Sequence, residues 1–351
     1  MNEFFYAISL LYILTALFVW LGLARRWPEA SGSLRSASVI ICARDEERDL
    51  PACLESLERQ VLDPGCEPLE VILVDDVSGD RTALLMEQYS TRSRHRVKIL
   101  HMPPPQEGEP SGKWRPLKEG MRLASGEALL LTDADAILPP GWAAGHMREL
   151  GSAQMAAGFA LLEGQGLWGR MQSLDWLFLL EVGSSMNRWG RPQGALGKNL
   201  SVRRKEYLAA GGLEAAGFSL TEDLALIQLM QRAGAHMRFP LNREIMINTP
   251  SARTWGEFVR QRKRWASGIR RLDPAGRGLI ALMALRNIAI VAGVLAGLLP
   301  ALGFWGVTAL GNLLIQWRAC AALGILRRLM FFPLWEIFYT WSAPVMAISI
   351  L

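Results

Sequence analysis

Residues 4–24 form an uncharged apolar run of bilayer-spanning length, and no other stretch restricts the chain's options as much. The run is too long for a signal-peptide core and lacks a small-residue cleavage site, and Arg25 and Arg26 follow it directly. Residues 1–26 are therefore expected to be an anchor whose C-terminal side faces the cytoplasm. At the other end, residues 279–298 and 301–317 are two further apolar segments with Pro300 at their junction, and 329–351 is a third. Residues 277–351 thus read as a membrane region of about three helices. Arg270, Arg271 and Arg277 precede it, and Arg318, Arg327 and Arg328 lie between its second and third segments. This sorting places all of them on the side of Arg25 and Arg26, in a multi-pass protein of the cell (inner) membrane. Arg286, Asn287 and Glu336 are costly in lipid, so mutual pairing is expected.

The 351 residues carry a net charge of +5, with basic residues mainly beside the apolar segments, which indicates a lipid bilayer partner and not nucleic acid. Cys42, Cys53, Cys66 and Cys320 have neither metal-site spacing nor the pattern of a disulfide framework. A reduced compartment fits.

Between the ends, residues 36–276 alternate strand and helix. Residues 38–42, 71–74 and 97–100 read as strands, and Leu50, Cys53, Leu54 and Leu57 lie on one helical face. Residues 102–112 are a Pro- and Gly-rich loop, and 128–131 form another buried strand that ends at Asp133-Ala134-Asp135. Such alternation predicts an α/β domain with a mostly parallel sheet, whose ligand crevice lies at the C-terminal ends of the strands. Asp75-Asp76 ends the second strand and would face the same crevice. Two carboxylates at a strand end suit a hard divalent cation, Mg²⁺ or Mn²⁺, shared with phosphate oxygens. Further on, Thr221 is a good N-cap with Glu222 and Asp223 in the first turn, and Leu224, Ile227 and Met230 follow on one face until Gly234. Gln261, Arg264 and Trp265 share a helix face, with Arg262 and Lys263 turned elsewhere. Residues 167–182 are too polar to span a bilayer and read equally as an interfacial or a core helix.

Taken in order, residues 39–47, Asp75-Asp76 with the turn to Thr82, Gly112-Lys113, Asp133-Ala134-Asp135, Thr221-Glu222-Asp223 and Gln261-Arg262-Lys263-Arg264-Trp265 resemble the motif set of family 2 glycosyltransferases. The match covers roughly residues 36–270. The resemblance implies a GT-A fold, a nucleotide-sugar donor such as a UDP-sugar, a divalent metal and inversion at the anomeric carbon. Carried over by residue, it implies that Ala43, Asp45, Glu46, Asp75, Asp76, Lys113, Asp133, Gln261 and Arg264 meet the donor, with Asp133 and Asp135 on the metal. Asp223 matches the general base, and Arg264 is placed with it in catalysis. Asn199, Glu222 and Trp265 fall on the acceptor side. Asp45 stands where the family usually has Asn, and Pro116-Leu117 where it has Ala-Leu. The expected reaction is sugar transfer to a membrane lipid acceptor. The alternatives are a processive polysaccharide synthase and, from another class, a catalytically inert nucleotide-sugar or lipid-binding regulator.

Overall fold

The structure is a computed structural model. It describes all residues except Met1, Ala30, Ser31, Ser33, Glu107, Pro110, Ser111, Gln165, Gln193, Ala195, Leu196, Leu220 and Leu351, and the side chains of Asn2 and of 343–350. The chain divides into two compact units, one of residues 27–161 and 194–250 and the other of residues 1–26, 162–193 and 251–351. Compactness thus groups residues 162–193 and 251–276 with the apolar ends, whereas the sequence reading assigned both to the 36–276 domain.

The first unit is built on nine strands: β1 Ala37–Ala43, β2 Glu70–Asp75, β3 Arg96–His101, β4 Ala128–Asp133, β5 Met155–Ala157, β6 Ala160–Glu163, β7 Asn199–Arg203, β8 Met237–Arg238 and β9 Ile247–Pro250, the last residues of β6 falling in the other unit. Seven of them form one sheet in the order β3-β2-β1-β4-β7-β5-β8. β1 to β4 are mutually parallel, and β7 runs antiparallel to both β4 and β5. The apolar runs of β1, β2 and β4 are buried on both faces, as a sheet covered on two sides requires. β3 is an edge strand, and its residues are exposed or half-buried. Helix Leu50–Glu58 starts with Pro51 in its first turn, where the missing N–H costs nothing. Helix Trp114–Leu123 lies so close to the sheet that a Cβ on Gly120 would sit 2.8 Å from the Ile40 methyl, which is why only glycine fits there.

Register places the chemistry. Cys42 of β1 lies opposite Asp133 of β4, and Ala43 opposite Asp75 of β2, so both acidic strand ends and the β1 exit reach one sheet edge.

The second unit is helical. Asn2–Ala24, Pro274–Leu295 and Leu299–Leu323 are long and apolar enough to cross a membrane. The last two are separated at Gly297, which takes a left-handed conformation, and Pro300 opens the next helix. The third C-terminal segment forms helix Phe332–Ile350, and the expected end at Leu351 lies outside the described residues. Residues 167–182 lie in one helix, Gly166–Arg188, whose Gln172, Leu177, Glu181 and Ser185 are completely buried. The helix is buried within the helical unit and not in the core of the sheet unit. The costly polar residues of the spans pair with one another as expected. Arg286 is bonded to Glu336 and donates to Asn287 Oδ1 at 2.7 Å, Thr340 at 2.9 Å and Thr308 at 3.0 Å.

Candidate active site

The loops that leave β1 and β2 are joined backbone to side chain. Asp45 N–H donates to Ser78 Oγ at 3.2 Å, and Gly79 N–H returns to Asp45 Oδ1 at 2.7 Å. Glu46 N–H donates to Thr82 Oγ1 at 2.8 Å, and Glu47 N–H to Asp80 Oδ2 at 3.0 Å. Asp45 and Val77 both adopt left-handed backbone, at φ 57° and 61°. For a β-branched valine this is strained, a cost of about 1–3 kcal/mol that the surrounding bonds must sustain, and such strain concentrates at ligand-binding turns. Asp75 is buried; it accepts from Ser78 N–H at 3.1 Å and lies 3.3 Å from His101 Nδ1. Asp76 lies 3.9 Å from the Arg115 guanidinium. The aspartate at 45 thus serves as a loop staple whose carboxylate is committed to Gly79.

At the end of β4 two lysines meet the carboxylates. Lys113, the residue before helix Trp114–Leu123, is bonded to Asp133. Lys198 Nζ lies 3.2 Å from both Asp135 oxygens and 3.4 Å from Asp133 Oδ2, and donates to Thr249 Oγ1 at 2.8 Å. Burial pushes the Asp133 carboxyl up, but the two ammonium groups outweigh it and hold that carboxyl well below the usual carboxylate range. Burial likewise opposes the charge of Lys113, and Asp133, Cys42 and Glu222 together raise its pKa. Glu46 differs: burial, followed by the charges of Asp135, Asp49 and Asp133, pushes it up to about 7.

Helix Glu222–Arg232 brings the third acidic element to the same place. Asp223 Oδ2 accepts from Gly197 N–H at 3.1 Å, and a Cβ on Gly197 would stand 3.0 Å from Asp223 Cβ. Asp223 Oδ1 accepts from Leu224 N–H at 2.8 Å. Glu222 is raised, first by burial and also by Asp223 and Asp133, against Lys113. Ala43, Glu46, Asp75, Asp133, Asp135, Glu222, Asp223 and Lys113 therefore belong to one sheet edge or to the charge cluster beside it. The donor set is all hard oxygen, which fits Mg²⁺ or Mn²⁺ on Asp133 and Asp135. Among the described residues no group of three His, Cys, Asp or Glu side chains forms a ligand set, so a cation here would need oxygens from its phosphate or from water.

Asn199 does not fit the acceptor role expected of it. Its side chain is completely buried, accepts from Trp142 Nε1 at 2.8 Å and from His146 Nε2 at 2.9 Å, and donates to the Phe159 and Ile245 carbonyls at 2.8 Å each. All its hydrogen-bonding capacity is used. Burial holds His146 down to about 4, so it is neutral and can donate through Nε2 while accepting from Ser201. The neighbouring Lys198, which the sequence reading passed over, is the residue of that segment in the cluster.

Gln261, Arg264 and Trp265 lie in the helical unit, on helix Trp255–Ser267. Arg264 is exposed and Gln261 half-buried. Trp265 packs on Trp176 with ring centroids 4.1 Å apart and the planes tilted by 32°, and the Arg262 guanidinium lies 4.7 Å from its centroid, so its ring is engaged within the unit. Arg262, expected to turn away, is instead bonded to the buried Asp175.

The mostly parallel sheet with helices is a GT-A fold. Residues 38–204 match glycosyl transferase family 2, and residues 128–348 match glycosyl transferase family group 2. The chain belongs to family 2 of the glycosyltransferases. It is 26% identical over 250 residues to the probable glycosyltransferase YdaM of Bacillus subtilis (strain 168), over 69% of this chain and 57% of that protein. It is 32% identical over 108 residues to an undecaprenyl-phosphate 4-deoxy-4-formamido-L-arabinose transferase of Pectobacterium carotovorum, over 30% of this chain and 31% of that protein. The chain thus spans less than two thirds of these relatives' lengths. In fold it is similar to the mannosyltransferase PcManGT of Pyrobaculum calidifontis, solved with GDP-Man and Mn²⁺, with a TM-score of 0.60, 17% identity and 95% of each chain covered.

Proposed function

We propose that this glycosyltransferase moves one sugar, with inversion, from a UDP-linked donor to a hydroxyl of a membrane lipid. In functional terms, residues 1–26 anchor the chain, 36–276 carry the cytoplasmic transferase and 277–351 hold it in the cell membrane. The observation that carries the reading is the register of β1, β2 and β4, which gathers Asp75 and Asp133 at one sheet edge, where Lys113 bonds Asp133 and feels the charge of Glu222.

Asp75 and Asp76, with Ala43, Asp45 and Glu46, line the uridine side. Asp133 and Asp135 hold a divalent cation, which supplies charge neutralisation for the diphosphate when bound. Lys113 adds a donor to the phosphate oxygens. Asp223 takes the proton of the attacking hydroxyl, and its two backbone N–H bonds fix its direction for that task. Glu222 flanks the acceptor. A lipid acceptor is supported by the spans and by the undecaprenyl-phosphate named in a relative's activity. Transfer of a single sugar is favoured over polymerisation because the polar side chains Arg286, Asn312 and Glu336 are buried against one another and do not line a hydrophilic path.

The test separates metal from base. Asp135→Ala abolishes metal-dependent binding of labelled nucleotide sugar, whereas Asp223→Asn leaves binding intact and cuts turnover by about 10² or more. Equal loss of binding in both variants would refute this division of roles, and label found in long polymer would refute single transfer.

A further inference from the structure

Lys198 is held in place from two sides of the sheet unit. Thr132 of β4 lies opposite Asn199 of the antiparallel β7, so the residue before β7 is delivered to the level of Asp133. The Asn199 side chain is spent on Trp142, His146 and the Phe159 and Ile245 carbonyls, which fixes the backbone from which Lys198 projects. Thr249 of β9, which accepts from Lys198 Nζ, is fixed as well. Its neighbour Asn248 exchanges backbone hydrogen bonds of 2.8 and 3.0 Å with Ile137, just beyond Asp135. The ammonium group therefore moves by rotation of its own flexible stem and not with the chain.

What it holds is the whole of one carboxylate and half of another. Both Asp135 oxygens lie 3.2 Å from Lys198 Nζ and Asp133 Oδ2 lies 3.4 Å from it, while Asp133 Oδ1 is bonded to Lys113. Every carboxylate oxygen of the pair thus already faces an ammonium group, and two positive charges balance two negative ones. The four side chains are only 19–30% exposed, so water screens them poorly. A divalent cation takes oxygens at about 2.1 Å, so it would stand within about 5 Å of an ammonium that kept the same carboxylate, and the like charges would repel. The cation gains the pair only if Lys198 leaves. Lys198 leaves at little cost only when another anion receives it, and the oxygens of a diphosphate suit its three donors.

We propose that Lys198 is the resident counter-ion of the Asp133–Asp135 pair and releases that pair to a divalent cation only when a nucleoside diphosphate arrives to receive its ammonium group. Metal and donor then bind as one coupled event, each tightening the other by the same factor. The proposal rests on the metal reading above and adds what controls the metal's entry.

The experiment uses the full chain, purified in detergent and stripped of metal. Free Mn²⁺ is read by electron paramagnetic resonance, with and without saturating UDP and, in parallel, GDP, after correction for Mn²⁺ held by the nucleotide in solution. In the wild type the nucleotide is expected to tighten Mn²⁺ binding about tenfold or more. Lys198→Met and Lys198→Gln remove the charge, so both should bind Mn²⁺ without nucleotide about tenfold or more tighter than the wild type, and nucleotide should add little further. Lys198→Arg keeps a charge and should keep the wild-type coupling. Misfolding does not tighten a metal site, and two neutral side chains of different chemistry guard against the failure of either variant. Wild-type or weaker Mn²⁺ affinity in both neutral variants overturns the inference. So does an equal gain in Lys198→Arg, which would make the effect one of shape and not of charge. If the wild type with nucleotide binds no Mn²⁺, or binds it as well after Asp135→Ala, the metal reading itself fails and takes the inference with it.

Discussion

The spans and the sheet edge each take acids and bases out of water, and they leave them in opposite conditions. In the spans, the Arg286 side chain is 0% exposed and the Glu336 side chain 6%, and every polar neighbour is used: Trp305 and Asn312 also donate to Glu336, and Tyr12 donates to Asn312. At the sheet edge, Asp133 keeps 30% of its side chain exposed, Lys198 is shared between two aspartates, and Glu46 stands among acids that raise it to about 7. A satisfied network fixes one arrangement of helices. A cluster of half-buried carboxylates that share their ammonium groups can instead exchange partners, as the proposed site for a diphosphate and its cation requires.

The largest effect should come from breaking the closed network. Arg286→Leu leaves the Glu336 carboxylate buried without its cation, an arrangement that costs about 3–5 kcal/mol. Thermal unfolding in detergent should show it, and Arg286→Leu combined with Glu336→Leu should recover most of the loss, because two apolar side chains restore a neutral interior. A double variant as unstable as the single one would mean that the network acts through packing and not charge.

A second test applies the contrast inside the sheet unit, where Asn199 is as closed as Arg286. Asn199→Ala strands Trp142, His146 and two carbonyls, and should destabilise by about 3 kcal/mol, since each buried unpaired group costs about 1–3 kcal/mol before relaxation. The KM for acceptor should stay at the wild-type value in whatever fraction remains folded. An increase in that KM without loss of stability would return Asn199 to the acceptor site.

What the sequence revealed follows from the range of each interaction. β1, β2 and β4 are legible because six or seven consecutive residues repeat one burial pattern, whereas β5 and β8, of three and two residues, are too short to carry a period. The acidic strand ends were legible for the same reason. The partners of Asn199, Lys198 and Arg262 were not, because each is chosen by residues about 40 or more positions away. On helix Trp255–Ser267 periodicity indicates which residues share a face, and only Asp175 decides that Arg262 is the one drawn inward. Helix Gly166–Arg188 shows the same limit, since Gln172 and Glu181 look like surface residues until the helices around them are placed.

The smallest effect concerns Glu46 and sharpens the contrast from the site's side. Its folded pKa of about 7 lies above the ordinary 4.5, so folding favours the protonated form. The associated stability is therefore complete below pH 4.5 and is lost as pH rises through 7. The shift alone corresponds to about 3 kcal/mol, but the side chain is half-buried and solvent screening reduces this to about 1 kcal/mol. Glu46→Gln, which cannot ionise, should accordingly be more stable than the wild type by about 1 kcal/mol at pH 8 and equal to it at pH 4. Unfolding curves at the two pH values measure the difference. A gain of stability paired with weaker donor binding would show that the acidic edge is held under electrostatic strain for function, while a Glu46→Gln protein less stable at pH 8 would mean that Lys198 outweighs the neighbouring acids.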